Sequence, residues 1–354
     1  MTLSKNDLEL SKNDTKMTKG FAIILMVLLH LFCKKGNVPW ADIKIFEGGT
    51  VTLSYYIGLM GDCCVAIYCF CSGYALDIIN QKILSAKEYY KGRFKALLKL
   101  LINYWIILIA FSIVGLLVGD KYVPGSMKDF VLNFFLIDNY TGAWWFLLTY
   151  VILTLISRPV YKFVEKVNPI FVCLISFVIY FVAYVQRNKA PIYFDIKPVD
   201  WALHQLALLG TSFMPFVWGM LFYKYKCFTK IKERLYSKTK NWQLVLISFI
   251  IVVLMTVAHG KFQSLIVAPF MGIVFILIFN VVKKGTVIDK IFLFFGEHST
   301  NIWLVHMFFY SVIFRYFVYR AKYPILIFVF MLLLTVTCSY IINLIYKPIV
   351  KLIK

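Results

Sequence analysis

Residues 324–345 read PILIFVFMLLLTVTCSYIINLI and contain no charged side chain. A helix of this length crosses the roughly 30 Å hydrocarbon core of a bilayer, which needs about 20 apolar residues. Further apolar runs lie near residues 17–33, 53–79, 97–118, 143–157, 168–185, 203–223, 242–258, 262–281 and 299–319. The sequence therefore predicts an all-α integral membrane protein, a bundle of about ten transmembrane helices.

The composition excludes a soluble protein. Of the 354 residues, 61% are hydrophobic and 16% are charged. Charged residues make up about a quarter of ordinary soluble domains, so this chain cannot cover a water-facing surface. The net charge of +21 could indicate nucleic-acid binding, but such proteins concentrate basic residues on a water-soluble face. Here the basic residues lie between apolar runs, so we expect the lipid bilayer as partner and no nucleic acid.

The density of Lys and Arg alternates between successive loops. The N-terminal tail with Lys19 and the segments 80–95, 158–167, 224–241, 282–290 and 346–354 hold 25 of the 38 basic residues, and the loops 34–50, 119–141, 186–200, 259–261 and 320–323 hold 11. Because loops rich in Lys and Arg remain in the cytoplasm, we expect both termini there, in a multi-pass protein of the plasma membrane. The predicted domains are a cytoplasmic tail (1–16), a single transmembrane domain (17–345) and a second cytoplasmic tail (346–354).

The first apolar run contains His30, which follows Lys19 by 11 residues. This spacing is close to three helical turns, so the two side chains share a face, about 16 Å apart along the axis. A neutral imidazole accepts a proton near neutral pH, which predicts a general base at His30. The alternative is a histidine that hydrogen-bonds a neighbouring helix for packing.

Other polar side chains at membrane depth are functional candidates because their burial there is costly. Ser72 and Tyr74 flank a glycine in the second run, where close helix packing is the alternative role. Arg93 lies in a basic cytoplasmic stretch and either binds a phosphate or anchors the chain at the membrane surface. His306 lies inside the ninth run, eight residues after His298, which we place at the membrane interface. No spacing of Cys and His predicts a metal site.

Several short motifs occur in one order along the chain. The segment KGFAIILMVLLH (19–30) resembles the first helix of the type 3 acyltransferase family of integral-membrane O-acyltransferases, which opens with Arg-Gly and carries a His. Arg93-Phe94 resembles the basic start of that family's third helix. The remaining matches are FCSGY (70–74), WWFL (144–147), FMPFVWGML (213–221) and GEHSTNIWLVH (296–306). Together they cover residues 19 to about 310.

Three positions depart from the family pattern. Lys19 stands in place of an Arg, so the planar guanidinium group, which can donate two parallel hydrogen bonds, is replaced by the compact charge of an ammonium group. Ala96 occupies the place of a second Arg, with Lys95 and Lys99 nearby. The proline usual near the start of the third helix is missing, with Asn103 nearby. We therefore expect that acyl-CoA binds more weakly or in a different arrangement, or that the donor is a different molecule.

The resemblance implies transfer of an acyl group, most often acetyl from acetyl-CoA, to a hydroxyl of a cell-surface or lipid-linked polysaccharide. It implies acyl-CoA as a co-substrate, with no tightly bound cofactor. His30 and Lys19 are the expected catalytic residues. The expected residues for donor or substrate binding are Arg93, Ser72, Tyr74, Trp145 and His306.

Two questions stay open in the sequence. The acyl group either reaches the acceptor directly or rests first on Ser72, Tyr74 or His306. The competing function classes are a non-enzymatic flippase or exporter of lipid-linked sugars, and a glycan polymerase. A transporter would spread polar residues along a continuous path, whereas the histidines here cluster in the first and ninth runs.

Overall fold

The computed structural model describes residues 8–44 and 51–353, and its regular elements are helices. They are α1 (Lys12–Phe32), α2 (Leu53–Leu59), α3 (Cys64–Lys82), α4 (Ala86–Val118), α5 (Met127–Phe134), α6 (Trp145–Lys166), α7 (Pro169–Asn188), α8 (Lys197–Lys224), α9 (Cys227–Tyr236), α10 (Asn241–Lys261), α11 (Ala268–Val281), α12 (Thr286–Val305) and α13 (Pro324–Lys351). Within those ranges one isolated bridge pairs Lys44 with Thr52, and no β-strand forms. The all-α prediction is confirmed. Parts of the predicted N-terminal tail and of the 34–50 loop lie outside the described residues.

Within residues 8–44 and 51–353, eight helical segments are long and apolar enough to cross a membrane. They are Lys12–Phe32, Leu53–Lys82, Ala86–Val118, Trp145–Lys166, Pro169–Asn188, Lys197–Lys224, Asn241–Lys261 and Pro324–Lys351. Helix α10 exposes Phe249 and Leu254 by 66% and 62%, which suits lipid rather than water. The two other predicted runs fall on a shorter apolar segment, Leu265–Val281, and on α12. The chain is therefore a multi-pass membrane protein.

The helix boundaries differ from the sequence-based ones at three places. Helix α1 begins inside the predicted 1–16 tail, and α13 ends inside the predicted 346–354 tail. The ninth run was predicted to span 299–319, but α12 ends at Val305 and short 3-10 turns follow. In these turns the Phe314 N–H donates to Phe308 O at 2.8 Å and the Tyr316 N–H to Tyr310 O at 3.1 Å. The chain folds back there because turn bonds replace helical ones, although its aromatic side chains keep the hydropathy high.

The chain divides into two compact units, each built from three separate stretches. The first contains the described residues up to Ala22, Asp62–Tyr89 and Thr149–Gly296; the second contains those of Ile23–Gly61, Tyr90–Leu148 and Glu297–Lys354. Helix α1 contributes residues to both units. The predicted boundaries of a single 17–345 domain stay a prediction.

Close contact between α3 and α8 forms the centre of the first unit. A Cβ atom on Gly73 would lie 1.8 Å from the backbone oxygen of Phe216, and one on Gly219 would lie 2.1 Å from that of Phe70. No larger side chain fits at either position without separating the helices. The two glycines therefore set the distance between α3 and α8.

Reciprocal indole contacts join α12 to the start of α6 in the second unit. Trp144 Nε1 donates to Leu304 O, and Trp303 Nε1 donates to Ala143 O, each at 2.9 Å. The Trp144 side chain is fully buried. Buried tryptophans normally find such acceptors, and here the two bonds fix the end of α12.

Candidate functional site

Two histidines meet in the second unit. His30 lies in the last turn of α1, and His306 follows the end of α12. His30 Nδ1 lies 2.7 Å from His306 Nε2, and the two rings are nearly parallel, with centroids 4.8 Å apart. His306 is 1% exposed, whereas His30 is only partly buried. The pair therefore has a fully buried member and a partly buried one.

A backbone carbonyl orients this pair. His306 Nδ1 lies 2.8 Å from Trp303 O, and a carbonyl only accepts hydrogen bonds. With both imidazoles neutral, His306 therefore carries its proton on Nδ1 and accepts at Nε2. His30 must then donate from its own Nδ1, which leaves Nε2 of His30 unprotonated. No described group hydrogen-bonds this nitrogen, so its lone pair is available to a substrate proton.

The position of His306 follows from the way α12 ends. The last carbonyls of a helix lack intrahelical partners, and Trp303 O is one of them. The His306 side chain satisfies this carbonyl, while the Trp144 indole satisfies Leu304 O. Local helix termination thus places the second imidazole and selects its tautomer.

An aromatic cluster that we did not predict from the sequence adjoins the pair. The Tyr310 ring stacks on His306 with centroids 6.1 Å apart. Lys34 Nζ lies 5.3 Å from the Tyr310 centroid and 4.8 Å from that of Tyr319, and it donates to Tyr319 Oη at 3.1 Å. Trp40 stacks on Tyr319 at 5.1 Å, and burial lowers the pKa of Lys34. Trp40, Tyr310 and Tyr319 are 6%, 6% and 3% exposed, so the cluster is a buried support for the histidine pair. The signal in the sequence was the Tyr-rich segment 310–323.

The predicted residues of the α3 segment lie in the first unit and make structural contacts. Ser72 is 6% exposed, and its hydroxyl donates to Tyr68 O, one turn earlier in α3, at 2.7 Å. Tyr74 is fully buried, donates to Glu9 Oε2 and accepts from the Leu10 N–H at 3.2 Å. Both hydroxyl protons are thus engaged within the protein.

The other predicted residues lie on three different helices. Lys19 is on α1 in the first unit, where its carbonyl accepts from Tyr68 Oη at 3.2 Å. Arg93 is half-buried near the start of α4 in the second unit. Trp145 begins α6 and contacts Phe146 at 5.7 Å between centroids. His30 and His306 are the two predicted site residues that the 2.7 Å contact brings together in the second unit.

Buried polar groups join α4, α12 and α13 behind the pair. Asn103 Nδ2 donates to Asn301 Oδ1 at 2.6 Å, and Asn301 Nδ2 donates to Ser339 Oγ at 2.9 Å. His298 Nδ1 lies 2.8 Å from the same hydroxyl. His298 is 7% exposed, so it is a buried contact between α12 and α13, and its place at the membrane interface stays a prediction. Asn103, one of the departures from the family pattern, therefore has a partner on α12.

Another buried histidine, His259, lies in the first unit. His259 Nε2 is 2.7 Å from Asp62 Oδ2, and both side chains are less than 5% exposed. Within residues 8–44 and 51–353, no three His, Cys, Asp or Glu side chains are close enough to hold a metal ion. The His259–Asp62 pair is a buried polar contact between α10 and the turn before α3.

Comparison with known proteins gives one match. A family model described as an acyltransferase domain matches residues 16–344, which is most of the chain. No curated protein and no solved structure matches significantly. The matched range includes both histidines of the pair.

Proposed function

This chain belongs to the acyltransferase 3 family, and from that premise we propose that it is a plasma-membrane O-acetyltransferase acting on a polysaccharide. The donor is acetyl-CoA or another acyl-CoA from the cytoplasm. The acceptor is a hydroxyl of a cell-surface or lipid-linked glycan. No tightly bound cofactor is needed, because thioester chemistry requires only a base and an oriented nucleophile.

The 2.7 Å contact between His30 Nδ1 and His306 Nε2, which assigns a free lone pair to His30 Nε2, is the observation that carries this proposal. This lone pair accepts the proton of the acceptor hydroxyl while the hydroxyl oxygen attacks the thioester carbonyl carbon. The C–S bond then breaks, an ester forms, and the thiolate of CoA takes up the proton that His30 Nε2 had accepted, which restores the neutral imidazole. His306 accepts a hydrogen bond from His30 Nδ1 and supports positive charge on His30 as the proton arrives.

The contacts of the alternative nucleophiles favour direct transfer to the acceptor. The Ser72 hydroxyl and the Tyr74 hydroxyl already donate within the first unit. Both nitrogens of His306 are also engaged. An acyl-enzyme on any of the three would first have to break one of these hydrogen bonds.

Comparing His30→Ala with His30→Gln at matched protein levels tests the proposal. A general base contributes about 10²–10⁴-fold, so both variants should lose at least about 10²-fold of the rate of glycan acylation. Acylated glycan would be followed over time by mass spectrometry, with cells lacking the gene as reference. A packing histidine would predict near-normal turnover for His30→Gln, because glutamine still hydrogen-bonds. Unchanged glycan mass in cells lacking the gene would favour a transporter.

A further inference from the structure

A cationic cleft lies in the second unit, outside the helices. Its volume is about 430 Å³, within the usual range for ligand sites. Two short segments line it: 119–122, which follows α4, and 313–320, in the turns after His306. Its charged residues are Asp120, Lys121, Arg315 and Arg320. The sequence placed Arg315 inside a span, and the fold places it in this cleft.

Both arginines are held in place without a carboxylate. Arg315 Cζ lies 4.9 Å from the Tyr122 centroid, and its Nε donates to Val312 O at 3.0 Å. Arg320 Cζ lies 5.6 Å from the Phe317 centroid. In the described chain, neither these two residues nor Lys121 forms an ion pair, and their terminal nitrogens have no hydrogen-bond acceptor. The cleft therefore presents oriented cationic donors to whatever enters it.

The single acid of the cleft is already engaged. Asp120 Oδ1 accepts the backbone N–H groups of Tyr122 and Val123 at 2.8 and 2.9 Å. With one acid against three bases, the lining residues carry a net positive charge. Loops on the external side of a membrane are normally poor in Lys and Arg, so a cationic cluster in the predicted external loops needs a ligand to explain it.

The surroundings of the cleft indicate where this ligand lies. Leu116, Leu117 and Val118, which lead into it, are 67%, 81% and 53% exposed, as expected of residues facing lipid. Tyr122 and Tyr316 are 64% and 61% exposed beside it. Tyr316 has φ of 61°, a left-handed conformation that costs energy for a residue with a side chain. Such strain is typical of functional segments.

We propose that this cleft binds a phosphate or diphosphate group at the external membrane surface, as found at the lipid-linked end of a glycan acceptor. Arginine forks bind phosphate oxygens in pairs, and the lipid-facing residues beside the cleft place its ligand at headgroup level. The same short segment carries His306 and both arginines. As an acceptor site the cleft rests on the function proposed above, but its binding can be measured without catalysis.

The test uses the full-length protein in detergent micelles and native mass spectrometry with farnesyl diphosphate as probe. Wild type should bind one probe molecule. The double variant Arg315→Gln/Arg320→Gln should bind at least about tenfold more weakly, because it loses two charge-assisted contacts. Lys128→Gln, in the same 119–141 loop but outside the cleft, is the matched control and should bind like wild type. Equal affinity of wild type and the double variant would overturn the proposal.

Competitors distinguish the sources of phosphate. Displacement of the probe by inorganic pyrophosphate but not by phosphatidylglycerol assigns the cleft to a diphosphate ligand. Displacement by phosphatidylglycerol alone would overturn the assignment to a lipid-linked acceptor. Arg315→Lys/Arg320→Lys keeps the two positive charges but loses the paired guanidinium donors, so it should bind the probe with intermediate affinity. Because this variant changes the cleft less than the Gln variant does, the test does not depend on the Gln variant folding correctly.

A last comparison separates this inference from the proposed function. His30→Ala should bind farnesyl diphosphate like wild type even though it transfers no acyl group. If His30→Ala loses acyl transfer but still binds the probe, the result supports the cleft as a binding site, whatever role His30 has in the reaction. Intact transfer in a protein that binds no probe would overturn the cleft and leave the acyltransferase standing.

Discussion

One backbone carbonyl decides which nitrogen of His30 can act as a base. Trp303 O fixes the proton of His306 on Nδ1, and His306 then fixes that of His30. In hydrolytic triads a buried carboxylate performs this orienting task. A carbonyl carries no full charge, so the orienting group here can be buried at membrane depth at lower cost.

Replacing His306 tests the orienting role. In His306→Gln, the amide oxygen can accept from His30 Nδ1 and the amide N–H can donate to Trp303 O, so the rate should fall by less than about tenfold. His306→Leu offers neither contact, and its kcat should fall by about 10²-fold or more. Single-turnover acyl transfer with both variants measures the difference. A Gln variant as inactive as the Leu variant would show that His306 itself carries a proton or the acyl group.

At the scale of helices, Gly73 sets the contact between α3 and α8. Gly73→Ala would place its Cβ 1.8 Å from Phe216 O, and such overpacking costs about 1–3 kcal/mol or more. We expect a lower melting temperature in detergent, measured by circular dichroism. Gly92→Ala is the control, because a Cβ there meets nothing within 4 Å and alanine favours a helix by up to about 1 kcal/mol. Equal melting temperatures for the two variants would show that α3 and α8 are not in close contact.

Hydropathy predicted the helices well because a lipid-spanning helix must be apolar over its whole length. It failed at residues 306–319, where six of the side chains from Met307 to Phe317 are aromatic. Hydropathy depends on the side chains, whereas the hydrogen bonds that fold this segment back are between backbone groups. The mean hydropathy of a stretch of sequence therefore cannot distinguish a membrane-spanning helix from an apolar segment that folds into turns.

The candidate site was predictable only in part. His30 and His306 could be selected because polar residues at membrane depth are rare and costly. Their 2.7 Å contact joins residues 276 positions apart, and no local pattern encodes such a distance. The aromatic contacts of Lys34 were missed for the same reason, since its three tyrosine neighbours lie in a different segment.

For the whole molecule, the alternation of basic loops predicts that both termini are cytoplasmic. A C-terminal green fluorescent fusion should fluoresce, and a C-terminal alkaline phosphatase fusion should be inactive. A phosphatase inserted after Lys128, in a predicted external loop, should be active. An active C-terminal phosphatase would contradict this orientation, and with it the external position of the cationic cleft.

The same orientation places Lys19 and Arg93 at the cytoplasmic side, where a polyanionic CoA arrives. Arg93→Ala, and to a smaller degree Lys19→Ala, should raise the KM for acyl-CoA about tenfold while changing kcat little, because each removes a charged contact. Lys238→Ala, an exposed cation of the basic 224–241 loop, is the control. Wild-type kinetics of both variants at limiting acyl-CoA would contradict the proposed donor site.

The order of the segments along the chain determines when the protein becomes active during its synthesis. The second unit needs Glu297–Lys354, so it stays incomplete after the first unit has left the ribosome. Because 276 residues separate His30 from His306, translation at about 5–20 residues per second leaves roughly 14–55 s between their appearance. During this interval His30 lies in a nascent chain without the neighbour that orients it. A chain that ends before His306 should therefore be inactive in acyl transfer, because His30 has no partner for its Nδ1.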